Sequence, residues 1–196
     1  MATAPTLKMS TEIAEKIRDH GAQTYPNECC GALLGRDDAA SDVTTTTGGV
    51  RPAVREILAL FPLVNRRDDS PRNRFSVTAE DVRDAEKAAQ EKKLDVVGWY
   101  HSHPDHPAQP SQYDREHAWP WYSYVIVSVA NGKPAEMTSW RLSDDRSEYA
   151  CEDLAIRDHA KLCRGAALLP PTSARCQKRA CRRVEDSLGD SRRNQG

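Results

Sequence analysis

The chain has 196 residues, of which 38% are hydrophobic and 29% charged. That composition suits one globular domain with a real core plus polar extensions, and no stretch approaches the roughly 18 apolar residues of a spanning helix. The net charge of −1 is unevenly spread: residues 157–196 hold ten Lys/Arg against four Asp/Glu, and residues 1–156 hold 18 against 25. The two stretches therefore read as a domain (1–156, −7) and a basic tail (157–196, +6).

The opening MATAPTLKMS has neither a basic n-region nor an apolar h-region, so the expectation is a cytoplasmic protein. Residues 10–22 predict an amphipathic helix: Ser10 can cap it, and Ile13 and Ile17 fall four apart on one face. Tyr25-Pro26-Asn27 predicts a turn, and Cys29 to Leu34 a buried strand closed by Gly35. The Thr-rich, Gly-Gly-containing stretch 36–54 reads as a loop. Ile57 to Val64 predicts a strand, with Pro62 marking an edge or bulge. A charged loop over 65–74 follows, then a short strand at Phe75-Ser76-Val77 and a helix over 79–93 capped by Thr78. Asp95 to His101 and Tyr122 to Val129 are rich in β-formers, with a Pro-rich loop and a short helix, Ser111 to about His117, between them. Ala135 to Leu142 is expected as the final strand after the turn Asn131-Gly132. This order predicts an α/β fold, a mixed sheet flanked by helices.

From Arg157 the pattern dissolves. The stretch 164–183 has six basic residues and no acid, and no aromatic residue follows Tyr149. A disordered tail is expected rather than a nucleic-acid patch, which would need rings to stack on bases. The six cysteines contain no C-x-x-C pair, and reduced thiols are expected.

The chemistry concentrates in His101-Ser-His103-Pro104 and Ser111-Gln-Tyr-Asp114. Residues two apart on a strand share a face, so His101 and His103 can project together. Ser111 and Asp114, three apart, are neighbours on a helix. A short loop can fold Asp114 against the histidines, giving two imidazoles and one carboxylate with a fourth position open, the ligand count of a catalytic zinc site. Separately, H-x-H at a strand end is more often two polar surface residues, and S-x-x-D more often a helix N-cap. Together they point to one metal site.

The spacing of H-x-H-P and S-x-x-D resembles the JAMM (MPN+) metallopeptidases. So does Pro26-Asn-Glu28-Cys-Cys30-Gly31, in the place where that family carries its glutamate base. The resemblance covers about residues 8–156, and Gly98-Trp-Tyr-His101 and Ala118-Trp-Pro-Trp-Tyr-Ser-Tyr124 are similar to its small bacterial branch. It implies a curved mixed sheet with a layout similar to cytidine deaminases, and one Zn²⁺ per chain held by His101, His103 and Asp114. It also implies that Glu28 acts as general base, that Ser111 stabilises the oxyanion, and that the bond hydrolysed is an amide. The substrate it suggests is the Gly-Gly C-terminus of a ubiquitin-like sulfur-carrier protein, from which an attached amino acid such as cysteine is released. A general zinc peptidase and a non-enzymatic scaffold of the same fold are the alternatives. A deaminase would need H-x-E with P-C-x-x-C, and an iron oxygenase would leave Glu28 and Ser111 unexplained.

Further expectations are weaker. His117 is a candidate support for Asp114, Cys30 a packing residue under the site, and His106 and Asp105 solvated loop residues. An extended substrate arm is expected to pair with a sheet edge beside the histidines. The acidic domain is expected to avoid nucleic acid and favour arms carrying Lys or Arg.

Overall fold

Ser10 ends one element and starts the next. It closes strand β1 (Thr6–Ser10), and its Oγ accepts the Ile13 N–H at 3.2 Å to cap helix α1 (Thr11–Thr24). The remaining elements are β2 (Cys30–Asp37), β3 (Val54–Leu63), α2 (Ala79–Glu91), β4 (Asp95–Pro104), α3 (Gln112–His117), β5 (Ser123–Ala130), β6 (Lys133–Leu142) and β7 (Tyr149–Arg157). The computed structural model describes residues 6–37, 54–65 and 75–158.

The mixed sheet expected from the sequence is present, and it closes on itself in the order β1-β3-β2-β4-β5-β6-β7. β1 makes the closure, running parallel to both β3 and β7. Neither β1 nor β7 was expected; β6 is not the final strand. β1 is defined by partners far away in sequence, as the pairing of Leu7 with Leu154 illustrates, and so carries little local signal; β7 pairs with β1 and with the adjacent β6. Phe75 to Val77, expected as a strand, has no ladder partner. Pro62 pairs with Gly31 on the β2 side, whereas β1 reaches β3 only over Val54, Arg55 and Glu56. Pro62 therefore lies beyond the stretch of β3 that β1 covers.

α1 buries Ile13, Ala14 and Ile17 against the inner face of the barrel, among Leu7, Leu33, Val97, Tyr100, Val125 and Val127. α2 lies on the other face, against β2, β3 and β4. Thr78 caps it with a complete capping box to Asp81. Cys29 and Cys30 are free and buried. Cys151 is disulfide-bonded, which corrects the expectation of reduced thiols throughout.

β7 runs through Arg157, which pairs with Ser10, and Asp158 accepts the Thr11 hydroxyl at 2.6 Å. The chain divides into compact units Met1–His159 and Ala160–Gly196, and the second lies outside the described residues. Most of the expected basic tail, most of the Thr-rich loop (38–53) and the charged loop 66–74 lie outside them as well.

The Gly of the P-x-E-x-C-G stretch has a packing reason. Gly31 sits opposite Tyr100, and a Cβ there would overlap the Tyr100 ring and its hydroxyl. That ring is fully buried and its hydroxyl pairs with His20 Nδ1 at 2.9 Å, so it cannot swing away cheaply. Gly31→Ala is expected to destabilise the fold by about 1–3 kcal/mol, the scale of overpacking in a filled core. A urea midpoint matching wild type would show that the ring yields without strain.

Candidate active site

β4 carries His101 and His103 on one face, and Tyr100 and Ser102 on the other, toward α1. It pairs with antiparallel β2 over Asp95–His101 and with parallel β5 over Gly98–Pro104.

Beyond Pro104 the chain turns at Asp105, whose φ is 56°. Asp105 is not merely solvated: its carboxylate accepts from the Tyr25 hydroxyl at 2.9 Å and the Asn131 N–H at 2.8 Å. The Pro-rich loop then has its carbonyls met one by one. His106 O accepts from Ser128, Pro107 O pairs with His103 Nδ1, and Ala108 O accepts from Thr138. Satisfied in this way, a loop without ladder bonds delivers Ser111 and Asp114 to the histidines.

The three expected metal ligands converge. His101 Nε2 and His103 Nε2 lie 3.0 Å apart, and the Asp114 carboxylate oxygens lie 3.5 Å from the first and 3.6 Å from the second. All three ligand atoms fall within 4.8 Å of one another. Tetrahedral zinc with ordinary Zn–N and Zn–O bonds places its ligands about 3.3–3.5 Å apart. The imidazole edge of 3.0 Å and the carboxylate approaches, made by Oδ1 to His101 and by Oδ2 to His103, bracket that range, so the donor set suits the ion in chemistry and in approximate spacing. The His103 Nδ1 faces the Pro107 carbonyl at 2.9 Å. That oxygen only accepts, so the proton sits on Nδ1 and Nε2 keeps its lone pair for a metal. The plane of His101 is set instead by Phe75, stacked at 4.7 Å and 29°; its Nδ1 has no hydrogen-bond partner among the described residues.

Burial lowers the pKa of His101. Burial works the same way on His103, but the Asp114 and Glu28 carboxylates and the Pro107 carbonyl outweigh it and raise that pKa. For Asp114, burial is outweighed by the nearby His101 and His103 rings and by the hydrogen bond from Ser111, so it stays ionised far below the usual carboxylate range. A dication at this point would replace protons in balancing these groups.

Glu28 reaches the site through strand register. Cys30 pairs with His101, and beyond that pair Cys29 and Ser102 lock together through two bonds: Cys29 N–H to Ser102 Oγ at 2.8 Å, and Ser102 N–H to Cys29 O at 3.1 Å. Continuing the register sets Glu28 opposite His103, on the ligand face. Asn65 fixes the Glu28 carbonyl at 3.1 Å. The side chain is only 5% exposed, and burial pushes its pKa to about 8, with His103 pulling it down and Asp114 up. Cys30 is fully buried and its thiol is pushed to about 12 by burial, as befits a packing residue rather than a nucleophile.

Ser111 is the N-cap of α3, in a capping box with Asp114. Its hydroxyl and its backbone N–H both donate to Asp114 Oδ2, at 2.7 and 2.6 Å. His117 gives Asp114 no support; its Nδ1 donates to Tyr113 O at 2.9 Å and its ring stacks on Tyr113. What the sequence did not disclose is a cleft of about 190 Å³ opening beside His101 and Asp114, walled by Phe75, Val82, Trp99, Ala118 and Tyr124. Only the i, i+2 spacing of Trp99 and His101 hinted that they would share it.

Residues 10–143 match the family model described as prokaryotic homologs of the JAB domain. The chain belongs to this family. As a JAB-domain protein it is similar to the desampylase of Haloferax volcanii, 31% identical over 131 residues, spanning 64% of this chain and 83% of that protein. It is also similar to the Lys-63-specific deubiquitinase BRCC36 of Mus musculus, 30% identical over 112 residues, spanning 49% of this chain and 38% of that one. Among solved structures, a protein from Salinibacter ruber shares 43% identity with a TM-score of 0.54, covering 83% of this chain and 96% of that one. A protein from Desulfitobacterium hafniense shares 27% identity with a TM-score of 0.64, covering 83% of this chain and 100% of the other. The JAB-domain match spans α1, β2, β4 and α3, the elements that carry Glu28 and the His-His-Asp cluster.

Proposed function

We propose that this protein is a zinc-dependent hydrolase of amide bonds, acting at the Gly-Gly C-terminus of a ubiquitin-like carrier protein and releasing what is attached there, cysteine included. The observation that carries this reading is the convergence of one ligand atom each from His101, His103 and Asp114 to within 4.8 Å of one another, with the buried Glu28 carboxyl beside them. The Asp114 carboxylate already carries a negative charge, and a dication beside Glu28 would favour the ionised form of that carboxyl too. The named activities of the two curated relatives, a desampylase and a deubiquitinase, favour a ubiquitin-like partner over unrelated peptides.

Zinc, when bound, supplies Lewis acidity, bringing water within reach of deprotonation near pH 7 and polarising a carbonyl. The chain's own groups do the rest. Glu28 accepts the proton of the attacking water and returns it to the leaving nitrogen. Ser111 donates a hydrogen bond to the oxyanion. Its hydroxyl can turn to do so without releasing Asp114, because the Ser111 N–H holds the same carboxylate oxygen at 2.6 Å. The Asp114 N–H meanwhile keeps the Ser111 Oγ in place at 3.1 Å. Ser111→Ala is expected to lower the rate by about 10²–10³-fold, the cost of one oxyanion donor, and Ser111→Thr to restore most of it. An alanine variant at wild-type rate would reduce Ser111 to a helix cap.

Glycines at the reacting end let the substrate backbone approach the metal closely. The direct test offers carrier adducts ending in Gly-Gly or Ala-Ala, with unrelated peptides of matched length. Release confined to the Gly-Gly adducts supports the reading, whereas equal cleavage of all of them leaves a general zinc peptidase.

A further inference from the structure

The cleft beside the His-His-Asp cluster is larger than a Gly-Gly terminus can use. Its volume is about 190 Å³, and a dry cavity of about 150 Å³ already admits a benzene ring. Trp99, Ala118 and Tyr124 form a buried floor, with Phe75 and Val82 across from it. The Tyr124 hydroxyl of that floor is already occupied, accepting from the Trp119 N–H at 2.7 Å and donating to the Trp119 carbonyl at 3.1 Å. Among the described lining residues there is no Lys, Arg or Glu; the polar side chains Ser76, Tyr113 and His117 lie off the floor, and the Asp114 carboxylate is engaged by Ser111. A charged head seated on the buried apolar floor would be desolvated there.

The next step rests on the function proposed above. If the acyl side of the scissile bond is Gly-Gly, that side brings no side chain. An apolar cavity that shares His101 and Asp114 with the reaction centre is within one residue's reach of the bond, so its occupant comes from the leaving side. We propose that this cleft receives the side chain of the released residue, and that it selects apolar side chains of methionine to phenylalanine size over charged ones. Cysteine fits, as a small apolar thiol that leaves the cavity partly empty.

The test uses the zinc-loaded full chain and a set of carrier adducts Gly-Gly–X, with X as Met, Phe, Cys, Gly or Asp. The Met and Phe adducts are expected to exceed Gly in kcat/KM by about tenfold or more, the low end of what a few apolar groups contribute in a pocket, with Asp below Gly. Val82→Trp fills the cleft and is expected to bring the Met-to-Gly ratio to about one, with zinc content unchanged; Ala118→Leu offers a second, smaller filling should the first variant fail to fold. Equal kcat/KM for all five adducts, or a Met-to-Gly ratio unmoved by filling, overturns the pocket assignment and leaves the hydrolase reading standing. No release from any adduct overturns both.

Discussion

Replacing Glu28 with glutamine (Glu28→Gln) is expected to leave one zinc per chain and to lower turnover by about 10²–10⁴-fold, the range that a positioned acid–base group contributes. The two side chains are near-isosteric, so packing against Cys30 and β4 is kept and only the capacity to take a proton is lost. Glu28 suits the relay because nothing else holds its carboxyl: no described residue hydrogen-bonds to it, and the segment is anchored through its backbone, by Asn65 on the Glu28 carbonyl and by the Cys29–Ser102 pair. Steady-state rates on a Gly-Gly adduct, taken beside elemental zinc analysis, separate loss of the base from loss of the metal. A glutamine variant within a few-fold of wild type would remove Glu28 from the chemistry.

Asp114→Ala is expected to lose the zinc and, with it, all measurable hydrolysis. Asp114 is the only anionic member of the ligand cluster, and without it two neutral imidazoles face the dication alone. The same change breaks the capping box with Ser111, which costs about 0.5–2 kcal/mol of helix stability. Asp114→Asn separates the two effects, since its amide oxygen can still accept from the Ser111 N–H and hydroxyl while the charge is gone. Zinc is expected to dialyse away from both variants, with the Asn protein retaining the wild-type urea midpoint. Undiminished zinc in the alanine protein would place the metal elsewhere.

The pattern of legibility follows from sequence distance. His101, His103, Ser111 and Asp114 fall within one strand–loop–helix segment, so period-2 and helical spacing sufficed to put them together. Glu28 lies far upstream, and no local rule connects it to them; its place follows from the β2–β4 register, and the sequence could suggest it only through likeness to a known family. β1 was invisible for the same reason in stronger form, because its five residues acquire strand character from partners at 54–56 and 153–157. Phe75 was misread for the opposite reason. Its β propensity is real, but the segment joins no ladder among the described residues, and the ring stacks on His101 at 4.7 Å. Closure of the barrel could be seen only once β1 was placed.

Zinc titration of the stripped protein tests the central claim most directly. Chelator-treated, dialysed protein is given zinc in fractions of an equivalent while hydrolysis of a Gly-Gly carrier adduct is followed. The account predicts no release without zinc, a linear rise, and a plateau at one equivalent per chain. Hydrolysis that survives complete removal of the metal, or one equivalent bound at His101, His103 and Asp114 with no hydrolysis of any amide, would contradict it.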